Sequence, residues 1–197
     1  MKIYDISQEL FSCIVFPGDP APKREVLSSM EEGALYNLTA LSLCAHNGTH
    51  IDAPYHFIKD GKTVEQIPLE KTVGWAYVTH EEGIVWAEDA KRILAKAREA
   101  HPDAVKRILI GGKATVSEEA ASVFAEAKID LVGNESQTVG PEDAPMQVHL
   151  TLLGAEVVLL EGIRLDDVPT GVYLLSAAPI SLAGSDGAPC RAILIEL

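Results

Sequence analysis

Several short runs in this chain are largely apolar at successive positions: Trp75 to Val78, Arg107 to Ile110, Val157 to Leu160 and Val172 to Leu175. Successive side chains of a strand point to opposite faces, so such a run has no side to turn to water and must be covered on both. Asp130 to Val132 and Ala192 to Ile195 read as further short strands, and the alternation from Leu35 to Ala45 as another. Between the strands of the second half, Ala90, Ile93, Leu94 and Ala97 recur at helical spacing. Ser117-Glu118-Glu119 opens a second helix with a capping hydroxyl and first-turn acids. Buried strands alternating with helices predict an α/β domain whose mixed sheet is covered by helices, behind a first third richer in irregular β and loop structure. Pro17-Gly18-Asp19-Pro20, Asp60-Gly61 and Val139 to Pro145 are turn signals rather than linkers. With no internal repeat, residues 1–197 are expected to form a single domain.

Composition narrows the partners. Hydrophobic residues make up 47% and charged residues 23%, the balance of a chain that buries a core rather than one that stays disordered. Lys and Arg number 16 against 29 Asp and Glu, a net charge of −13 spread along the chain with no basic stripe. The attraction to phosphate backbones on which nucleic-acid binding depends is therefore missing. No uninterrupted run of about 18 apolar residues is present to span a membrane, and Met1-Lys2-Ile3-Tyr4-Asp5 is not an apolar leader. A cytoplasmic protein with no membrane partner is expected. Cys13, Cys44 and Cys190 form neither a CxxC motif nor a disulfide framework, which fits structural thiols in a reducing compartment.

One eleven-residue stretch differs in kind: His46-Asn47-Gly48-Thr49-His50-Ile51-Asp52-Ala53-Pro54-Tyr55-His56 holds three of the six histidines and an aspartate. Gly48 and Pro54 disfavour a regular helix. The segment is expected as a loop leaving the preceding strand, with His50 and Asp52 on one face wherever the chain is locally extended. Imidazole and carboxylate without thiolate suit zinc or manganese and leave coordination positions open, as a catalytic site does and a structural one does not. The spacing of His46 and His50 matches the ends of an HExxH metalloprotease motif. Asn47 replaces its glutamate base and Gly48 weakens its helix, so that reading is rejected. Gly111-Gly112-Lys113-Ala114 lacks the first glycine and the hydroxyl of a phosphate-binding loop, and neither GxSxG nor GxGxxG occurs.

The run HxGTHxDxPxH, carried by His46, Gly48, Thr49, His50, Asp52, Pro54 and His56, resembles the signature of the cyclase family of metal-dependent hydrolases, which includes bacterial kynurenine formamidase and isatin hydrolase. Tyr4-Asp5-Ile6-Ser7 and Pro17-Gly18-Asp19-Pro20 resemble that family's opening. His149-Leu150-Thr151-Leu152-Leu153, followed by Val157 to Glu161, resembles its second metal-binding segment, and Ser185-Asp186-Gly187-Ala188-Pro189-Cys190-Arg191-Ala192 its closing motif. The resemblance implies a swivelling β/β/α-type α/β fold, assembled as a homodimer or homotetramer. It implies that His46, His50 and Asp52 bind one divalent ion, zinc or manganese. Asp52 and Glu161 would bridge to a second ion held by His149, giving one or two ions per subunit, and His56 would be the catalytic acid/base. Apart from the family, Glu161 ends the apolar run Val157 to Leu160. A carboxylate at the carboxyl end of a buried strand is where α/β sites lie, unless it is simply the first solvated residue of the next loop. His149 falls beside Val148, Leu152 and Leu153, which read as the core face of a helix.

Family formamidases carry a large aromatic residue, often Trp, before the Pro-Gly-Asp turn. Phe16 stands there, keeping a ring without the indole donor, and is expected to bind the substrate's ring. Val132 to Gly140 departs from the family's Asp-Thr-x-Ser-x-Asp pattern, and Glu135 within it is either a pocket acid or a solvated loop carboxylate. What the resemblance implies is a metal-dependent hydrolase of a small-molecule amide, first among them an N-formyl aryl amine. Its alternatives are ring opening of a lactam or lactone on the same scaffold, and metal binding without catalysis.

Overall fold

A computed structural model describes residues 1–197. Its strands are β1 (Lys2–Asp5), β2 (Lys23–Ser28), β3 (Leu38–Ser42), β4 (His50–Asp52), β5 (Val73–His80), β6 (Ile84–Val85), β7 (Arg107–Gly111), β8 (Thr115–Val116), β9 (Leu131–Asn134), β10 (Val158–Glu161), β11 (Gly171–Ser176), β12 (Gly187–Pro189) and β13 (Ile193–Glu196). Its α-helices are α1 (Leu69–Thr72), α2 (Ala87–Ala100), α3 (Glu118–Glu126) and α4 (Met146–Gly154).

Nine strands form one mixed sheet in the order β1-β13-β11-β5-β7-β9-β10-β4-β12. Its centre, β5-β7-β9-β10, is parallel, and the flanking pairs are antiparallel. Each parallel step needs a crossover, and α2, α3 and α4 supply the three. The helices form where the sequence gives them a face and a start. Ala90, Ile93, Leu94 and Ala97 are the buried stripe of α2. The Ser117 hydroxyl accepts the Ala120 N–H at 3.1 Å to cap α3. In α4 the buried stripe is Val148, His149, Leu152 and Leu153, which carries one imidazole into the interior with the leucines.

β7 and β10 are buried on both faces as expected, and β5 is buried from Ala76 to Thr79, but β11 is not: Tyr173 and Leu175 are buried while Val172 and Leu174 on its other face are only half-buried. Ile108, Ile110, Val132 and Leu159 pack with Ile93, Phe124 and Leu152 of the helices. Leu109, Leu131, Val158 and Leu160 point the other way, into a second core with Ile51, Leu175, Ala188 and Leu194. That second core joins strands far apart in sheet order, so the sheet curls and covers its own inner face, leaving the α-helices to the outer one.

Two local expectations need correction. The strand over Leu35 to Ala45 is the shorter β3, which pairs only with β2 as a separate hairpin and does not join the main sheet. The segment after it is not simply a loop leaving that strand, because His50–Asp52 is itself a fully buried strand between β10 and β12. Two of its three residues are polar, so no apolar alternation announces it. Its pairing partners lie more than a hundred residues on. The three cysteines are free, and no helix is long and apolar enough to cross a membrane.

Candidate metal centre

The site is built where β4 runs antiparallel to β10. Their register sets His50 opposite Glu161 and Asp52 opposite Leu159, so residues about 110 apart in sequence share one strand end. Glu161 closes the apolar β10 and is followed by Gly162 at φ +68°. A Cβ there would fall 2.5 Å from the Gly48 carbonyl oxygen and 2.6 Å from Gln137 Oε1, so only glycine lets the exit of β10 pack against the loop entering β4. Glu161 is further held by the Val139 N–H, which donates to Oε1 at 2.7 Å. His149 arrives from the buried stripe of α4. Its Nε2 lies 3.3 Å from Glu161 Oε1 and 3.6 Å from Asp52 Oδ2. On the other side of Asp52, Oδ1 lies 2.8 Å from His46 Nδ1 and 3.3 Å from His50 Nε2. Two triads of candidate ligand atoms therefore share Asp52: His46, His50 and Asp52, and Asp52, His149 and Glu161.

The rings are oriented for a cation. His50 donates its Nδ1–H to the Gly48 carbonyl at 3.0 Å, and His149 donates its Nδ1–H to the Pro145 carbonyl at 2.8 Å. The far nitrogen of His46, Nε2, faces Asp186 Oδ2 at 2.9 Å. Each far nitrogen meets an acceptor, so the near nitrogen of each ring is left to face the carboxylates. This is the outer-partner arrangement of metal-bound histidines. Two atoms at the centre, His50 Nε2 and Asp52 Oδ2, are buried without any hydrogen-bond partner. Orphaned polar atoms are costly in an interior, and here they belong to a nitrogen and an oxygen donor aimed into one space. The donor set fits one or two divalent ions.

Electrostatics agree. Burial opposes charge on His46, but the Asp52 carboxylate outweighs it and raises the ring to about 9. The same contest, with Asp52 and Glu161 as the anions, raises His149 to about 10 and His50 well above its ordinary 6.5. Burial likewise opposes charge on Asp52, yet His149, His46 and His50 together hold it well below the carboxylate range. A cluster that draws protons onto three enclosed imidazoles draws in any cation of suitable size. His56 moves the other way, lowered chiefly by burial, so its ring is neutral at neutral pH.

All seven residues singled out in the sequence meet at this place. His46, His50, His149 and Glu161 line a cavity of about 250 Å³, with His56 and Phe16 in its wall and Asp52 beneath. Sequence reasoning missed three further members of the surroundings, Asp19, Thr138 and Asp186. Asp19 lies in the quoted Pro-Gly-Asp-Pro turn and Asp186 in the quoted closing motif, so both had a signal that was not converted into a position. Glu135 does not line this cavity, and it is half-buried rather than fully solvated. Its carboxylate accepts the backbone N–H groups of Gly112 (2.7 Å), Lys113 (3.3 Å) and Leu165 (2.8 Å), and so ties two loops together.

Comparison with known proteins agrees with this geometry. The Cyclase family model matches residues 4–141. A kynurenine formamidase from Bacillus cereus is 35% identical over 205 residues, spanning 96% of this chain and 95% of the relative. Among solved structures, a potential metal-dependent hydrolase with cyclase activity has a TM-score of 0.81 at 30% identity, covering 98% of this chain and 96% of its own. Isatin hydrolase A from Labrenzia aggregata shares the fold, with a TM-score of 0.81 at 22% identity over 98% of this chain and 93% of its own. The family match covers most of the sequence and the relatives nearly all of it, so this chain belongs to the cyclase family.

Proposed function

We propose that this protein is a metal-dependent amidohydrolase that releases formate from N-formyl aryl amines, including the N-formyl form of kynurenine. The observation that carries the reading is the pair of His/carboxylate triads sharing Asp52 at one small cavity whose wall also holds His56, a member of neither. The relatives named kynurenine formamidase supply the substrate class. No lysine or arginine lines the cavity, so charge developing on the substrate carbonyl falls to a divalent ion, which when bound polarises that oxygen and acidifies water. His46, His50 and Asp52 would hold one ion, and Asp52, Glu161 and His149 a second. Zinc and manganese both suit this mixed nitrogen and oxygen set.

The chain's own groups do the rest. His56 accepts a proton from the attacking water and returns it to the aryl nitrogen as the C–N bond breaks, leaving formate and the free amine. Phe16 and Phe57 give the aryl ring apolar walls. A cavity near 250 Å³ suits a single small ring system rather than a polymer.

The same reading takes the protein to be a homodimer or homotetramer. Its accessible surface is 10031 Å², against about 9,000 Å² for a compact monomer of this length. On the β2–β3 arm the apolar side chains of Val26, Leu27, Met30, Leu35, Tyr36 and Leu41 are all more than half exposed. Three unpaired cysteines support the cytoplasm as its place of action. The acidic balance supports a small molecule, not nucleic acid, as its partner.

The test is an assay of protein reconstituted with zinc or manganese against N-formyl anilines, isatins and simple lactones, with metal-free protein alongside. Formate release that needs the metal is expected. Lactam or lactone turnover without formamide turnover would replace the substrate class, and metal binding with no turnover on any of them would leave a metal-binding protein. His56→Gln should lower kcat by about 10²-fold or more while metal content stays at the wild-type level. If that variant loses metal, His56 is a ligand.

A further inference from the structure

The carboxylate of Asp186 belongs to neither of the triads that share Asp52, but with His46 and His56 it makes a third group of close donor atoms, one of its oxygens reaching both rings. Oδ2 lies 2.9 Å from His46 Nε2 and 3.3 Å from His56 Nδ1. The two rings lie nearly over one another, with centroids 4.1 Å apart and planes 33° apart, so a single acceptor at their edge serves both. We propose that Asp186 is a positioning residue that fixes the tautomers of His46 and His56 together, turning His46 Nδ1 toward the metal and leaving His56 Nε2 free to carry the proton. The proposal rests on the acid/base role given to His56 above.

The argument is one of donors and acceptors. An ionised carboxylate only accepts hydrogen bonds, so each ring must present an N–H to it. For His46 that places the proton on Nε2 and the lone pair on Nδ1, the atom 2.8 Å from Asp52 Oδ1. For His56 it places the proton on Nδ1, and Nε2 becomes the basic atom. His50 and His149 obtain the same service from backbone carbonyls, which no side-chain substitution removes. His46 and His56 depend on one replaceable side chain. A carboxylate behind a metal-bound imidazole and a carboxylate behind a catalytic imidazole are both familiar devices, and here one group fills both places.

The surrounding chain is shaped for this contact. Gly187, the next residue, pairs with Asp52 across β12 and β4. A Cβ on it would lie 2.7 Å from the Ile51 carbonyl oxygen and 2.9 Å from His46 Cε1, so glycine there makes room for the ring that Asp186 holds. The Asp186 carbonyl accepts the Ala53 N–H at 2.9 Å, and the Ser185 carbonyl accepts the Val64 N–H at 2.9 Å. The carboxylate is 41% exposed, but its backbone is tied to the strand that carries Asp52.

The test begins with the zinc-loaded wild-type protein. Long-range ¹H–¹⁵N spectra of the histidine rings should show His46 protonated at Nε2 and His56 at Nδ1. The opposite tautomer on either ring overturns the proposal, whatever the substrate proves to be. In Asp186→Asn the amide can donate as well as accept, and the two rings should no longer share one pattern. The dissociation constant for zinc, read by chelator competition, should rise about 10- to 100-fold. At saturating zinc, kcat on an N-formyl aniline should fall about 10²-fold with KM little changed. Asp186→Ala should weaken zinc binding similarly while keeping the wild-type number of ions at saturation. Loss of a whole ion in that variant would make Asp186 a ligand and overturn the positioning role. Unchanged zinc affinity and ring tautomers in both variants would make it a bystander on the surface. If the wild-type enzyme has no formamidase activity, the substrate reading fails, while the tautomers and zinc constants still decide the role of Asp186.

Discussion

The two walls of the cavity are made in opposite ways. Residues 47–54, which carry His50 and Asp52, are buried without interruption, whereas none of residues 7–45, which carry Phe16, Asp19 and the β2–β3 arm, is buried. The metal wall belongs to the fold. β4 is clamped between β10 and β12, so His50, Asp52 and Glu161 hold their places unless the curled sheet opens, while His46 sits half-buried at the border of the two walls. The mouth wall hangs from a few polar ties. The Asn47 amide donates to the Pro20 carbonyl at 3.2 Å and accepts the Cys44 N–H at 2.8 Å. Gln137 Nε2 donates to the Ile14 carbonyl, and Gln137 Oε1 accepts from Gln8 Nε2 at 3.0 Å. The candidate metal ligands are thereby tied to the fold, and the proposed substrate contact is left on a segment outside both cores. Loops held on a rigid scaffold are where specificity usually varies.

The largest effect should come from the residue common to both triads. Asp52→Ala removes a ligand atom from each, so metal affinity should fall by more than the roughly 10- to 100-fold that losing an outer hydrogen-bond partner costs. Elemental analysis after gel filtration, with circular dichroism to check the fold, reads this directly. Wild-type metal content in a folded Asp52→Ala would show that the metal wall is not where the ions sit.

Stripping the metal should expose the charge stored in that wall. His46 and His149 are raised from 6.5 to about 9 and about 10 in the metal-free protein. Groups raised on folding add stability that is fully present below their unfolded value near 6.5 and is lost as pH climbs through the folded values. The melting temperature of metal-free protein should therefore fall between pH 7 and 10, and metal affinity should rise over the same interval as protons cease to compete. The gap in melting temperature between metal-loaded and metal-free protein then widens with pH. A gap that narrows would mean that the rings are neutral in the metal-free protein.

How much of this was legible in the sequence follows the same division. His46, His50, Asp52 and His56 stood out because four potential metal ligands, three imidazoles and a carboxylate, within eleven residues have no packing explanation. Glu161 showed itself by ending an apolar run, but only the register of β10 against β4 could say which residue it faces. His149 looked like part of a helix core stripe because it is one, and its ring enters the interior beside Leu152 and Leu153. The central parallel strands were readable from their two-sided apolarity. The curl that closes the second core was not, since it depends on contacts such as Ile51 with Leu194's cluster that no local pattern encodes. Alternation from Leu35 to Ala45 could not reveal whether its apolar side meets the body of the protein or something outside it.

That last point has its own test. Val26 and Leu41 lie on one face of the arm, since Val26 pairs with Thr39 and Leu41 with Arg24. Both are more than half exposed. If a second copy of the chain covers this face, Val26→Lys with Leu41→Lys should convert a dimer or tetramer to monomer in sedimentation experiments. Metal content should be unchanged, because the metal wall is elsewhere. A wild-type protein that sediments as a monomer would mean that the arm stands free and the mouth is held by its polar ties alone.

The smallest effect concerns the one aromatic residue that the mouth wall lends to the cavity. Phe16 is placed by a four-residue turn in which the Asp19 N–H donates to the Phe16 carbonyl at 3.0 Å. Pro17 takes the second position and Gly18, at φ +102°, the third, where a positive angle is required. The turn sets the ring in the lining beside Phe57, His46 and His56 without packing it into either core. Removing it should cost the substrate one aromatic contact, about 1.4 kcal/mol or tenfold in kcat/KM, for an N-formyl aniline. A small aliphatic formamide, which has no ring to lose, should change by about twofold or less, within what surface substitutions ordinarily cause. Measuring kcat/KM for both compounds in wild type and Phe16→Ala, with melting temperature alongside, separates the explanations. A loss confined to the aryl compound at unchanged melting temperature places the aromatic preference in the mouth wall. An equal loss for both, with a lower melting temperature, would make Phe16 part of what holds the mouth in place, and the aryl preference would then have to come from Phe57.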